Sequence, residues 1–360
     1  MDAQVKKKKM NKGLKIFLII LIVLLSLIIL AAGTVFTFWL IGKNHYHPAT
    51  VDPTSLIDNF KDYGSDVSVN DDGTTINYKG KTYVQNKDVI YVAFLGVDKE
   101  SLDTVEGVER SAGQSDTNMI VAIDTKKGKM SLIVIPRDTM AEVNVLRSDG
   151  ESAGFSEMQL CLAYAFGDGR ETSCLNVLAS MEKLLFGIEL DNYYSLDLDG
   201  IGSLNDAVGG IEVTSLETIK SLGRAGDRIA LWGRNARTYV QYRDITNPDS
   251  DSLRRQRQIQ YMKAFVSKAF SAVKAEFPGK VTELYNIAGN YGCTNFDISH
   301  VTYLAQVLVS KYSVFNINDE DIYVLKGEGT RPDGGFLEVR LDRENVLETI
   351  LKVFYMEKAD

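Results

Sequence analysis

Two apolar runs separated by a short polar turn constrain this chain more than any other feature. Residues 118–124 and 129–135 are rich in Ile, Val and Met, and Thr125-Lys126-Lys127-Gly128 lies between them. That pattern predicts an antiparallel hairpin. If Asp124 faces Lys129, stepping outward sets Asp116 opposite Arg137, to within about one residue of register. A carboxylate and a guanidinium then stand side by side where two strands leave the sheet. The run 89–96 (VIYVAFLG) reads as a further buried strand, and it delivers Asp98 to the same edge if it runs parallel to 129–135. Two carboxylates and an arginine at one sheet edge suit a divalent cation, Mg²⁺, holding a phosphorylated ligand, because Mg²⁺ takes one or two carboxylates and leaves its other positions to water and phosphate oxygens. Each residue alone has a plainer reading, since Asp caps turns and helices and Arg137-Asp138 can be a local ion pair. Their convergence by register is what points to a site.

The chain opens with a basic tail, residues 1–15, that carries six lysines and one aspartate. An apolar run of 26 residues, 16–41, follows it, broken only by Ser26, Gly33, Thr34 and Thr37. That exceeds the roughly 20 residues a membrane-spanning helix needs, and it is longer than the apolar region of a cleaved leader, about 7–15 residues. We expect an uncleaved signal anchor with the N-terminus cytoplasmic and everything after Lys43 extracytoplasmic, because lysines precede the span and few positive charges follow it. The whole chain carries −8, so without the tail the remainder carries −13. An acidic ectodomain is a poor candidate for nucleic acid.

Residues 42–87 are polar and rich in Asp, Asn and Gly, and read as an extracytoplasmic stalk with a small hairpin turning at Lys79-Gly80. From 88 to 357 long apolar runs alternate with amphipathic ones, which argues for an α/β fold, a three-layer α/β/α sandwich around a mixed sheet. Helices are expected at 157–166 and 172–186, at a segment capped by Asp199 and ending at Gly209-Gly210, at 251–274, 281–288, 299–310 and 343–355. Short strands are expected at 193–198, 211–213, 238–242 and 322–325.

The segment TYVQYRDITNPDSDSLRRQRQ puts Arg243 at the end of an expected strand and opens the long helix with Arg254, Arg257 and Gln258. At i, i+3 and i+4 these three share one face, with Arg255 directed elsewhere. A row of forked guanidinium groups is a candidate pyrophosphate clamp; a solvated basic face balanced by Asp249 and Asp251 is the plainer alternative. The three cysteines form no CxxC and no cysteine–histidine cluster, so zinc is not indicated. Cys161 and Cys174 flank the turn at Gly167–Gly169; a bridge across it is one option and buried free thiols the other. No GxSxG elbow is present.

With LGVD, SDTNMIV, IPRDT, AYAFG, DLDGIGSLNDAVGGIEV and YVQYRD followed by RRQRQ in this order, the chain resembles the LytR-CpsA-Psr family of bacterial envelope proteins from about residue 88 to 355. The resemblance implies a fold that buries a polyprenyl chain between sheet and helices with its pyrophosphate at the mouth. It also implies Mg²⁺-assisted transfer of a glycopolymer, such as teichoic acid or capsule, from a polyprenyl-pyrophosphate carrier to peptidoglycan. Carried over by position, Asp98 and Asp116 match the metal-side aspartates, Arg137 the pyrophosphate arginine of PRDT, and Arg243 the second arginine of RxR; these four are the implied catalytic set. Arg254, Arg257 and Gln258 match the pocket-rim helix. Three positions depart from the family pattern, with Gln114, Gln159 and Gln241 where cations are usual, and Arg110 lies four residues before Gln114. A neutral amide donates hydrogen bonds without adding charge.

Two functions follow from this reading. One is the transferase. The other is a non-catalytic module that holds a polyprenyl phosphate to sense or carry it. Both aspartates and Arg137 favour transfer, since lipid binding needs no metal; the three glutamines favour binding or a different donor. The topology is testable directly. Protease added to wall-stripped intact cells is expected to degrade the ectodomain, and full protection would contradict the signal-anchor reading.

Overall fold

The computed structural model describes residues 33–34, 36–61, 67–104, 112–147, 149–244, 246–247 and 250–358. The basic tail and most of the expected membrane span lie outside the described residues. Among the described residues no helix is long and apolar enough to cross a membrane. The first helix among the described residues, α1 (36–45), leads into α2 (Pro53–Phe60), which Asp52 caps by accepting from the Thr54 N–H. A hairpin region follows: β1 (Val67–Val69), β2 (Thr75–Tyr78) and β3 (Lys81–Gln85), turning at Lys79-Gly80 as expected. Both turn residues have positive φ, 50° and 76°, as a two-residue turn matched to strand twist requires.

The central sheet draws on β4 (Val89–Val97), β5 (Ser115–Asp124) and β6 (Lys129–Ile135). The hairpin β7 (Met140–Leu146) and β8 (Ser152–Gln159) runs into a tight 3-10 turn, Leu160–Phe166, and then α3 (Glu171–Leu184). Next come β9 (Tyr193–Leu196), α4 (Leu198–Ala207), β10 (Ile211–Thr214), β11 (Arg228–Leu231), α5 (Arg234–Gln241) and the long α6 (Ser250–Ala275). The chain continues through α7 (Gly279–Asn290), β12 (Gly292–Thr294), α8 (Ile298–Lys311) and β13 (Ile322–Val324). It closes with β14 (Gly327–Thr330), β15 (Glu338–Leu341), α9 (Arg343–Phe354) and β16 (Tyr355–Glu357).

The main sheet is mixed, in the order β12-β9-β4-β5-β6-β13. Asp124 pairs with Lys129, the register expected from the turn. β4 is antiparallel to β5 and β5 to β6, so β4 and β6 run the same way and end at the same edge. Alternation sorts the side chains. Ile120, Ala122, Ile133 and Ile135 join one core with residues of α3 and α9, whereas Ile123, Met130 and Leu132 join another with Phe270 of α6 and Leu308 of α8. Helices thus cover both faces, which is why these strands read as continuous apolar runs.

Several expectations are corrected. Residues 157–166 are not a helix: 157–159 finish β8, whose Gln159 pairs with Met140, and the rest is the 3-10 turn, buried in six of its seven residues, with Leu162 partly exposed. Burial on almost every side leaves no amphipathic period for a helix to express. Residues 238–241 are helical rather than a strand; Ala236, Tyr239 and Val240 are buried at helical spacing, and that packing overrides the β preference of Thr-Tyr-Val. Asp197, not Asp199, caps α4. The segment expected as a stalk is folded in: Ala49, Val51, Leu56, Phe60, Ile76 and Tyr78 belong to the main core, and β3 pairs with β16. All three thiols are free. The Cys161 thiol lies beside Arg137, and that of Cys174 beside Cys293, so the two candidates for a bridge face different neighbours.

Asp197 is 2% exposed. Burial pushes its carboxyl up to about 6, against the pull of the hydrogen bond from the Gly200 N–H. Between the unfolded value near 4 and about 6 the native state therefore binds more protons than the unfolded one, and stability falls as pH rises through that window. Asp197→Asn keeps a capping side chain and removes the ionisation. Chemical denaturation between pH 4.5 and 7 is expected to show a flatter pH dependence for the variant than for wild type; equal slopes would contradict this assignment.

Candidate functional site

The edge where β4 and β6 end and β5 begins collects the acidic and basic groups. A bulge at Gly96/Val97 shifts the β4–β5 pairing, so that Gly96 faces Thr117 and Val97 faces Ser115. Asp98 follows directly, and its Oδ1 accepts from the Gln114 N–H at 2.6 Å. The approach needs a glycine. Gly113 has φ +95°, and a Cβ there would lie 2.8 Å from Asp98 Oδ1.

Beyond the last paired residues of β5 and β6, Asn118 and Ile135, Asp116 and Arg137 meet through an ion pair from Arg137 Nη1 to Asp116 Oδ1. Arg137 Nη2 donates to Gln114 Oε1 at 2.7 Å, and its Nε lies 3.6 Å from Asp138 Oδ1. Across the cleft, Arg254 Nη1 on α6 reaches Asp116 Oδ2 at 3.3 Å. Burial raises the Asp116 carboxyl above its ordinary range despite the pull of Arg137 and Arg254, and the charge of Asp98 adds to the rise.

Of these groups, Asp98, Asp116 and Arg254 line a cavity of about 340 Å³ between the sheet and the helices α4 and α6. Its walls are apolar: Phe94, Met119, Val121 and Leu196 from the strands, Ile201 and Leu204 from α4, and Tyr261, Met262, Phe265 and Val266 from α6. Asp98, Asp116, Gln241, Arg254 and Gln258 also line it. A smaller cavity of about 30 Å³ adjoins it, bounded by Asp116, Arg137, Asp138, Arg254, Arg255 and Gln258. An apolar volume of this size with few polar groups converging at one end is the usual form of a small-molecule site.

Other sequence-derived candidates lie elsewhere. Arg257 is fully buried; its Nε donates to Tyr239 O at 2.9 Å, its Nη2 to Tyr242 O, and its Nη1 pairs with Glu217. The helical stripe splits because α5 packs against one flank of α6, turning Arg257 inward and leaving Arg255 to line the smaller cavity, contrary to expectation. Gln159 donates to Leu337 O at 2.7 Å and lies 3.4 Å from Asp138, and it lines neither cavity. Arg243 is exposed, with its Nε 3.4 Å from Ser250 Oγ, and also lines neither. Arg110 lies outside the described residues. Arg237 was not singled out from the sequence, yet it donates to Gln241 Oε1 at 2.8 Å and to Asp199 and Glu100. Its position one helical turn before Gln241 becomes legible only once 234–241 is known to be a helix.

The donor set suits a hard divalent cation. Asp98 and Asp116 line the same cavity, and like-charge repulsion between them is what a cation relieves. Among the described residues no group of three or more His, Cys, Asp and Glu could hold a metal. Asp98 and Asp116 are the residues that would hold such a cation.

Fold and site together describe a mixed α/β protein with a deep apolar cavity opening on acids and arginines. The LytR_cpsA_psr family model matches residues 58–335, and the chain belongs to that family. Biofilm regulatory protein A of Streptococcus mutans is 26% identical over 298 residues, covering 79% of this chain and 65% of that protein. A protein of Oceanobacillus iheyensis named polyisoprenyl-teichoic acid–peptidoglycan teichoic acid transferase TagU is 26% identical over 266 residues, covering 72% of this chain and 74% of its own. The crystal structure of B. subtilis TagV shares the fold, with a TM-score of 0.56 at 21% identity over 74% of this chain and 96% of that one. A structure of TagT bound to LI-WTA is similar with a TM-score of 0.51 at 21% identity, over 74% of this chain and 89% of that one.

The two helix arginines are expected to separate cleanly. Breaking a buried, fully bonded pair costs about 3 kcal/mol or more, so Arg257→Met should lower the denaturation midpoint markedly. Arg254→Ala should leave it nearly unchanged and weaken phosphate-ligand binding. Equal midpoints for the two variants would contradict the buried role of Arg257.

Proposed function

We propose that this protein transfers a glycopolymer from a polyprenyl-pyrophosphate carrier to a hydroxyl on peptidoglycan, outside the membrane. The observation that carries the reading is the continuity of the apolar cavity with the Asp98, Asp116 and Arg254 rim and the adjoining Arg137. The names of the TagU and TagV relatives support the same class of reaction.

In this reading the isoprenoid lies against Phe94, Met119, Val121 and Phe265, and apolar burial at about 25 cal/mol/Å² makes the tail the main source of affinity. Arg137 and Arg254 face the phosphates and orient them by charge-assisted hydrogen bonds. The acceptor oxygen attacks the phosphorus that carries the glycan, and the bond from that phosphorus to the bridging oxygen breaks. Polyprenyl phosphate leaves, and the hydroxyl proton passes to a rim carboxylate. Arg137 and Arg254 stabilise the charge that develops on the departing phosphate. A divalent cation held by Asp98 and Asp116 would supply further neutralisation of the pyrophosphate.

The alternative, a module that holds a polyprenyl phosphate without transferring from it, draws on the neutral rim at Gln241 and on Gln159, whose amide is engaged with Leu337. Transfer from a purified lipid-linked donor to peptidoglycan fragments, with and without EDTA, separates the two. Asp116→Asn and Arg137→Ala are each expected to keep the fold and lower transfer about 10²–10³-fold, the usual loss for one such electrostatic contact. Wild-type rates in both variants would refute the site, and no wild-type transfer with lipid still bound would favour the binding module.

A further inference from the structure

One residue bonds to Asp98, Asp116 and Arg137 at once. The Gln114 carbonyl accepts from the Asp98 N–H at 3.0 Å and the Asp116 N–H at 3.1 Å. Its N–H donates to Asp98 Oδ1, and its side-chain Oε1 accepts from Arg137 Nη2 at 2.7 Å. The three backbone bonds survive any side chain at 114, so only the fourth depends on glutamine.

That fourth bond has a defined consequence. A guanidinium carries five donors and no acceptor, so it is held in place only by acceptors around it. Arg137 has Asp116 on Nη1 and Gln114 on Nη2, while Asp138 lies near Nε. A cation at 114 could not accept from Arg137 and would repel it. The amide carbonyl accepts without adding another negative charge beside Asp98, Asp116 and Asp138.

We propose that Gln114 is a positioning residue, which fixes the Arg137 guanidinium toward Asp116 and the cavity mouth rather than contacting the phosphorylated ligand itself. The inference rests on the transferase reading for its activity measurement, and on ligand binding for an independent one. Holding a charged donor in advance removes reorganisation from the reactive step.

The test is a double-mutant cycle of Gln114→Met, which keeps length and loses the acceptor, with Arg137→Ala. A hydrogen bond to a charged group is worth about a tenfold change. Gln114→Met is therefore expected to lower kcat about tenfold in the wild-type background, with little change in KM for the lipid-linked donor, and less than twofold in the Arg137→Ala background. Thermal midpoints should be unchanged. An equal loss in both backgrounds would overturn the proposal, because it would mean that Gln114 acts without Arg137. Absence of wild-type transfer would instead count against the function reading. In that case the same cycle, read by calorimetry of farnesyl pyrophosphate binding, decides: coupling between the two positions supports the proposal and additivity overturns it.

Discussion

The pairing of Asp116 with Arg137 is the interaction on which the rest of this site depends. Each residue sits two positions past the last rung of the β5–β6 ladder, so their meeting is a consequence of strand register. A slip of one residue between the strands would set the two side chains on opposite faces of the sheet. Burial then gives the pair its chemical character. Asp116 is drawn down by two arginines and pushed up further by loss of solvent and by Asp98, which leaves a carboxylate whose charge depends on compensation from its surroundings. Arg137 and Arg254 supply that compensation here, one on each carboxylate oxygen.

The apolar cavity and the charged rim are two faces of the same folding solution. Alternation along β5 sends Ile120 and Ala122 into the core shared with α3 and α9, and Met119 and Val121 toward α6. Thr117 continues that second face, and Asp116 stands at its end. One strand therefore supplies both an apolar wall of the cavity and a carboxylate at its end, where the proposed function would set an isoprenoid and its phosphate. α6 does the same from the other side, with Phe265 and Val266 deep in the cavity and Arg254 and Gln258 at the mouth.

The hairpin register, the shared edge of β4 and β6, and the long helix 250–275 were legible in the sequence, because continuous apolar runs broken by one polar turn mark the strands and an uninterrupted helical stretch marks the helix. What was not legible depended on partners distant in sequence. Arg257 shares a helical face with Arg254 by spacing alone, yet Glu217 and two carbonyls near α5 claim it. Residues 238–241 carry strand-like side chains and become a helix because Ala236, Tyr239 and Val240 pack as one stripe. Cys161 faces Arg137 rather than Cys174, since the 3-10 turn before α3 is set by β8 and not by local propensity. The glutamine at 114 looks like a lost cation in the sequence; only the geometry reveals that it holds Arg137.

The account stands on the claim that the cavity between the sheet and α6 takes a polyprenyl chain with its phosphate toward Arg137 and Arg254. Photocrosslinking with a polyprenyl phosphate bearing a diazirine in its tail, followed by peptide mass spectrometry of the full chain, tests that claim most directly. The account predicts adducts on peptides containing Met119 and Val121 of β5 and Phe265 and Val266 of α6, competed away by unlabelled polyprenyl pyrophosphate. Adducts confined to residues outside the cavity, or uncompeted labelling, would contradict it.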